Sequence, residues 1–327
     1  MRETFFTQGI AEAITEEMEQ DHRVFMLGQD IGVYGGAFGA SRGLLEKFGD
    51  SRIVDSPISE NSMIGLGIGA ALTGLRPIIE IMFMDFIALA FDQILNNATK
   101  FCYLSQGTLP LPIVIRTAAG GGRYYGPDHS QSLEGLFIHL PGLKIAVPST
   151  PYDAKGMLKA AIRCNDPVLF VEYKMLYEAR GNIADDPEEV VPLGKAAVRK
   201  QGSDLTIVSF GRMAHMAKEA TTQIEAEEDK NIEIIDLRCL SPLDIDTIIT
   251  SVEKTGHLVI VEEGHLTGGV GGEISAKVME SSFYSLDSAV VRVAAKDVPI
   301  PFSPYLENKV LPSVDSIKQG ILRCLKG

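Results

Sequence analysis

The chain has 327 residues, 45% hydrophobic and 22% charged, an ordinary globular composition that excludes a disordered or fibrous protein. Asp and Glu (43) outnumber Lys and Arg (30), and the formal charge of −13 repels phosphate backbones, which argues against a nucleic-acid partner. At roughly 100–200 residues per domain the length predicts two domains. The opening stretch, MRETFFTQGIAEAITEEMEQ, carries acids where a signal peptide needs basic then apolar residues, and Ile10, Ile14 and Met18 recur at helical spacing. RVFMLGQ and RIVDSPI read as apolar strands, followed by a helix of small residues from Asn61 to about Leu75. PIIEIMF is the next strand, and a long helix is predicted over 87–103. PIVIRTA leads into the loop AGGGRYYGPDHSQ; KIAVPS, a helix opening near Pro151, and VLFVEY complete the first half. From Glu178 to Asp204 a mixture of Gly, Pro and acids reads as a boundary. Beyond it LTIVSFG, IEIIDLR, HLVIVEE and VVRVAA alternate with helices. The predicted class is α/β, in two domains, each a mostly parallel sheet flanked by helices.

Four cysteines (Cys102, Cys164, Cys239, Cys324) lie far apart without a C-x-x-C pair, which fits a reducing compartment and no zinc knuckle. The most apolar stretch, IIEIMFMDFIALAF, is broken by Glu80 and Asp85 and is too short to span a bilayer. A cytoplasmic protein with no membrane association is expected.

Several motifs tempt a functional reading. Gly39-Ala40-Ser41-Arg42-Gly43 matches a nucleophile elbow, but Gly35 to Phe38 before it is a flexible loop, not a strand. Gly65, Gly67 and Gly69 fit a relaxed dinucleotide fingerprint, yet they fall inside a helix instead of opening one. Gly268, Gly269, Gly271 and Gly272 open a helix after a strand, where either an anion site or a tight turn is expected, the turn being favoured. His129 lies on the Gly-rich loop after a strand and is a candidate acid–base group; the other histidines lie in helical patterns or flank strands, and no pair has metal spacing. From spacing alone, Glu60 reads as a first-turn acid with Ser59 as helix cap.

DSPISENSMIGLGIGAALTGLRPIIEIMFMDF, DHSQSLEG, PGLKIAVPSTPYDAKGMLKAAIR, DLRCLSPLD and SVEKTGHLVIVEE together resemble the β subunit of the thiamine-dependent decarboxylating component of 2-oxo acid dehydrogenase complexes (pyruvate, branched-chain and acetoin types). The strings are long, collinear and run from about Glu3 to the end. The resemblance implies a thiamine diphosphate pyrimidine-binding domain over 1–185, a linker over 186–203 and a transketolase C-terminal-like domain over 204–327. It places on Glu60 the carboxyl that hydrogen-bonds the aminopyrimidine ring nitrogen. Phe86 matches the aromatic that stacks on the pyrimidine, and Ile58 and Met82 match apolar positions that wedge the cofactor. His129 matches the histidine that assists acyl transfer to lipoamide. Ile113, Ala161, Ile162, Cys164 and Asp166 match backbone positions that hold a monovalent cation such as K+. Asp287 matches an acid near the surface that docks the lipoyl acyltransferase core.

The GDG motif that helps hold Mg2+ and diphosphate is missing, and a diphosphate with its metal needs ligands. The resemblance therefore implies an α subunit that supplies them, in an α2β2 heterotetramer. The expected reaction is oxidative decarboxylation of a small 2-oxo acid such as pyruvate, or cleavage of acetoin, with lipoamide as acceptor; MFMDF and FDQILNNATKF are slightly closer to acetoin-type relatives. A non-catalytic scaffold and a self-sufficient transketolase-like enzyme are the competing readings. Two departures stand out: Gln29 replaces a usual Glu, and Gln106 replaces a usual Gly.

Overall fold

The apolar runs of the first half form six parallel strands, β1 (Val24–Gly28), β2 (Ile53–Asp55), β3 (Arg76–Ile81), β4 (Val114–Ala119), β5 (Lys144–Ala146) and β6 (Val168–Tyr173). They lie in the order β5-β6-β4-β3-β1-β2. β4 and β6 are buried at every residue, as their unbroken apolar sequence requires of a sheet covered on both faces. The computed structural model describes residues 1–327 and divides them into two units, Met1–Ala119 with Phe137–Leu193, and Gly120–Leu136 with Gly194–Gly327.

In the first unit α1 (Phe6–Gln20) buries Phe6, Ile10, Ile14 and Met18 and packs on α3 (Pro151–Arg163). The approach is close: a side chain at Gly9 would meet the Pro151 carbonyl at 2.9 Å. Lys155 and Lys159, both buried in α3, share the Glu16 carboxylate of α1 at 2.7 and 2.8 Å, and Lys155 also faces Glu12 at 3.4 Å. Between β2 and β3 runs α2 (Glu60–Leu72). Gly67 is a packing residue, since a Cβ there would lie 2.9 Å from the Ile79 side chain, whereas Gly69 faces open space. Arg2–Phe5 pairs antiparallel with Arg180–Ile183, a ribbon that the hydrophobic pattern did not announce.

The long helix expected over 87–103 is instead a 3-10 turn (Met84–Ala90), a π-helical stretch (Gln93–Ala98) and a short α-helix (Phe101–Leu104). Side chains compete there for backbone groups: the Thr99 hydroxyl donates to the Leu95 carbonyl at 2.8 Å, while the Thr99 N–H reaches back to Ile94. Gln106, just beyond, holds a left-handed φ of 56°, the conformation that favours the glycine expected there from the resemblance.

The second unit has strands β7 (Ala197–Lys200), β8 (Leu205–Ser209), β9 (Ile232–Asp236), β10 (Leu258–His265) and β11 (Val291–Ala295), ordered β11-β10-β8-β9-β7. All pairs are parallel except the edge strand β7. Helices α4 (Arg212–Glu228), α5 (Ile245–Thr255), α6 (Val270–Ser282), α7 (Pro304–Val310) and α8 (Val314–Lys326) accompany it. Leu205, Ile207, Ile224, Val259, Val261, Ile317 and Ile321 form its core. The expected linker, 186–203, therefore includes a strand: β7 is half exposed and polar, and Arg199 ties it to Asp236 of β9 at 2.7 Å. No helix is long and apolar enough to cross a membrane.

Candidate active site

From β1 the chain moves outward to β2, then returns past β1 to β3 on its other side. Such a switch opens a crevice at the carboxyl ends of β1 and β3, the usual ligand position in an open parallel sheet. Glu60 is the first residue of α2, within that return connection, and Met82 and Phe86 follow the end of β3. Glu60 is only 6% exposed, and no protein group hydrogen-bonds its carboxyl. The residue is buried, yet its carboxyl oxygens keep access to solvent, so a ligand entering the crevice can reach them. The cap expected of Ser59 is not made, because its hydroxyl donates to Ser62 Oγ at 2.7 Å. Ile58 beside it is 79% exposed, an aliphatic side chain left uncovered. Phe86 is set by an aromatic chain: edge-on to Phe83 at 6.2 Å, then Phe83 to Phe38 at 5.7 Å, and Phe38 stacked on Tyr177 at 4.7 Å. The structure thus gathers Ile58, Glu60, Met82 and Phe86 on two segments that pack together in the first unit.

Next to them lies a charged cluster that the sequence reading missed. Arg116 of β4 donates to both oxygens of Glu172 at 2.7 and 2.9 Å and to Glu80 at 2.7 Å, and the Tyr177 hydroxyl donates to Glu172 at 2.9 Å. Burial pushes the Glu80 carboxyl up, and Arg116 only partly opposes it. Burial works to lower Arg116, but Glu172 and Glu80 outweigh it and hold the guanidinium charged. Burial and the Glu172 charge push the Tyr177 phenol well up. One charge in each otherwise apolar strand (PIIEI, VIRTAA, VLFVEY) was the available signal.

His129 belongs to the second unit, on the segment Gly120–Leu136. Its Nδ1 faces Asp128 Oδ1 at 3.2 Å, and the histidine's hydrogen bond holds the Asp128 carboxyl below its usual range. The glycines of this Gly-rich loop permit close contact. A Cβ on Gly126 would strike the Phe302 ring at 2.4 Å, and one on Gly135 the Gly268 carbonyl at 2.5 Å.

The five expected cation positions meet where α3 ends. Ile113 O accepts from the Val168 N–H and Ala161 O from the Cys164 N–H, while Arg76 donates to Ile162 O at 2.8 Å and Cys164 O at 2.7 Å. The Asp166 side chain pairs with Lys144 at 2.8 Å. Carbonyls at a helix C-terminus are electronegative and keep a second lone pair each, but two of these already accept from the Arg76 guanidinium, whose charge opposes a cation beside it. No three His, Cys, Asp or Glu side chains converge on a metal position. Asp287 is exposed at the rim of a hollow of about 400 Å³ that also includes Lys230, Lys254 and His257.

The tempting motifs resolve structurally. Ser41 is buried and donates to the Ile31 carbonyl at 2.8 Å. The helix opened by Gly269 is closed to external anions by the chain itself, since the Glu262 carboxylate accepts from Val270 and Gly271 at 2.8 and 2.9 Å.

Comparison with known proteins gives the family. The transketolase pyrimidine-binding domain family matches residues 4–180, and the transketolase C-terminal domain family matches residues 194–317. The chain is 47% identical over 307 residues to the pyruvate dehydrogenase E1 component subunit beta of Gracilaria tenuistipitata var. liui, covering 94% of both chains. It is 44% identical to the acetoin:2,6-dichlorophenolindophenol oxidoreductase subunit beta of Cupriavidus necator, covering 97% of this chain and 96% of the relative. It is 42% identical to the 2-oxoisovalerate dehydrogenase subunit beta of Bacillus subtilis, covering 94% of both. Among solved structures it is similar to a split gene transketolase, inactive beta4 tetramer, at TM-score 0.79 and 23% identity over 98% of each chain.

Proposed function

The chain belongs to the β subunits of the E1 component of the pyruvate, acetoin and 2-oxoisovalerate dehydrogenases, and from that premise we propose that it supplies the pyrimidine-binding half of a thiamine diphosphate site. One observation carries the proposal: Glu60, a buried residue at the carboxyl ends of the strands, presents to the crevice a carboxyl that no group of its own chain engages. The bound cofactor supplies an electron sink for the carbanion that decarboxylation or acetoin cleavage leaves.

The protein's own groups do the rest. Glu60 holds a proton at the pyrimidine ring nitrogen, which needs the carboxylic acid and its conjugate base in alternation. Phe86 covers the ring face, and Ile58 and Met82 exclude water from the reacting side. In the second unit, Asp128 accepting from His129 Nδ1 leaves the lone pair on Nε2, the tautomer that can take a proton during acyl transfer to lipoamide. Ligands for Mg2+ and diphosphate would come from an α subunit in an α2β2 assembly, and a K+ would take the carbonyls of Ile113, Ala161, Ile162, Cys164 and Asp166. The substrate is a small 2-oxo acid such as pyruvate, or acetoin. Relatives of all three kinds are similarly close, so rates of the reconstituted pair on pyruvate, 2-oxoisovalerate and acetoin decide among them.

Isothermal titration of thiamine diphosphate into the β chain alone, into the α subunit alone and into their mixture tests the reading. Tight binding is expected only in the mixture. Tight binding to the β chain alone indicates a self-sufficient enzyme, and none in the mixture indicates a scaffold. Glu60→Gln in the mixture keeps the shape but loses the acid, so proton exchange at the reactive thiazolium carbon slows by ~10²–10⁴-fold. Unchanged exchange leaves Glu60 as a helix-terminal acid only.

A further inference from the structure

Gly120–Leu136 is pinned at its root by two buried carboxylates from different elements of the second unit. The Gly121 N–H donates to Glu263 Oε1 at 2.6 Å, and the Gly122 N–H donates to Glu307 Oε1 at 2.8 Å. Glu263 comes from β10 and its second oxygen faces Arg212 at 3.5 Å. Glu307 comes from α7, is fully buried, and its second oxygen has no hydrogen-bond partner. Two successive amides, each on its own carboxylate, exceed what reversing a chain requires. A single neutral acceptor would serve a turn, whereas a buried carboxylate incurs a desolvation cost that a charge-assisted bond only partly offsets. Glycine is needed for this reach, because a Cβ on Gly121 would lie 2.7 Å from Glu307 Oε1 and 2.6 Å from Leu311. A few residues on, Gly126 lies against Phe302, and the Gly126 carbonyl accepts the His129 N–H at 3.4 Å. The path from the two carboxylates to the imidazole is therefore short and fixed at both ends.

We propose that Glu263 and Glu307 are positioning residues that clamp the loop root and thereby fix His129 for acyl transfer, a proposal that rests on the reading of His129 given above. Neither touches substrate; both act through the loop backbone. The clamp predicts a division between two assays of the complex reconstituted with its α subunit. Glu263→Gln and Glu307→Gln each lower reductive acylation of a lipoyl domain by ~10–100-fold, the cost of a misplaced group, while turnover with an artificial electron acceptor changes by less than about twofold. The clamp also predicts non-additivity: His129→Ala combined with Glu307→Gln is no slower than His129→Ala alone. A further readout needs no substitution. In the unaltered complex the Gly121 and Gly122 amides exchange hydrogen as slowly as the core of β10.

Equal losses in both assays, or fast exchange at these two amides, overturn the clamp. If His129→Ala slows lipoyl acylation while both Gln variants are normal, the clamp alone fails. If His129→Ala spares lipoyl acylation, the reading of the histidine fails and takes the clamp's purpose with it.

Discussion

Arg116 donates to two carboxylates inside the first sheet, and neither can be left without it. Replacing it with methionine keeps the volume but leaves Glu80 and Glu172 buried and uncompensated. The expected loss is about 3–5 kcal/mol, the range found when one partner of a buried ion pair is removed. Urea unfolding followed by circular dichroism checks it; a loss under about 1 kcal/mol would mean that water or a proton compensates the carboxylates. At this scale the sequence was legible for chemistry and blind to company. Glu60 was readable as a first-turn acid and, through resemblance, as the cofactor's partner, but its isolation from other side chains is a fact of packing. His129 was found by its loop, whereas Glu263 and Glu307 were not, because strand and helix patterns do not show which carboxylate meets which amide.

The element α6 shows how a glycine-opened helix can serve itself. Glu262 caps two of its orphan N–H groups, and burial still raises its pKa to about 6 against the usual 4.5, because desolvation outweighs the Gly271 and Val270 bonds. The folded chain thus holds this proton more tightly than the unfolded chain. Its stabilising contribution is complete below pH 4.5 and is lost as pH rises through 6, a change of about 2 kcal/mol for this shift. Glu262→Gln removes that slope, so the difference in melting temperature between variant and parent should change between pH 4.5 and 6.5 and be constant above it. A constant difference across the whole range would show that Glu262 does not titrate there. The main parallel strands were legible to within about three residues because most are largely apolar runs. The segment 84–104 was not, since the Thr99 hydroxyl bonds the Leu95 carbonyl and the Asn97 amide bonds the Gln93 side chain, local contacts that a helical-looking apolar pattern does not show. β7 was hidden for the opposite reason: an edge strand tied by Arg199 needs few apolar residues.

For the whole molecule the α/β class and two-unit organisation followed from alternation, while the pairing of distant segments did not. The docking surface expected for the acyltransferase core lies at Asp287, which shares its hollow with Lys230, Lys254 and His257. Asp287 is exposed, and nearby Tyr284 is 98% exposed, an aromatic side chain with no cover from its own chain. Asp287→Ala should weaken binding of the core's basic domain by about two- to fivefold, as an exposed pair allows, and flatten its salt dependence. Turnover with an artificial acceptor should be untouched. Surface plasmon resonance at two ionic strengths reads both effects, and unchanged affinity moves the docking surface elsewhere.

The segment Gly120–Leu136 also bears on how this gene can be rearranged. The second unit is discontinuous along the chain, and its two pieces are held together by Glu263 and Glu307. A crossover at Leu193, where composition suggests a clean seam, would separate Gly121 and Gly122 from the carboxylates that grip them. Exchange of the second unit between homologues therefore requires two coordinated crossovers in the first half as well as one at the seam. Chimeras joined only at the seam should inherit a loop from one parent and its anchor from the other, a mismatch that selection would act on wherever the two parents differ at Phe302 or Leu311.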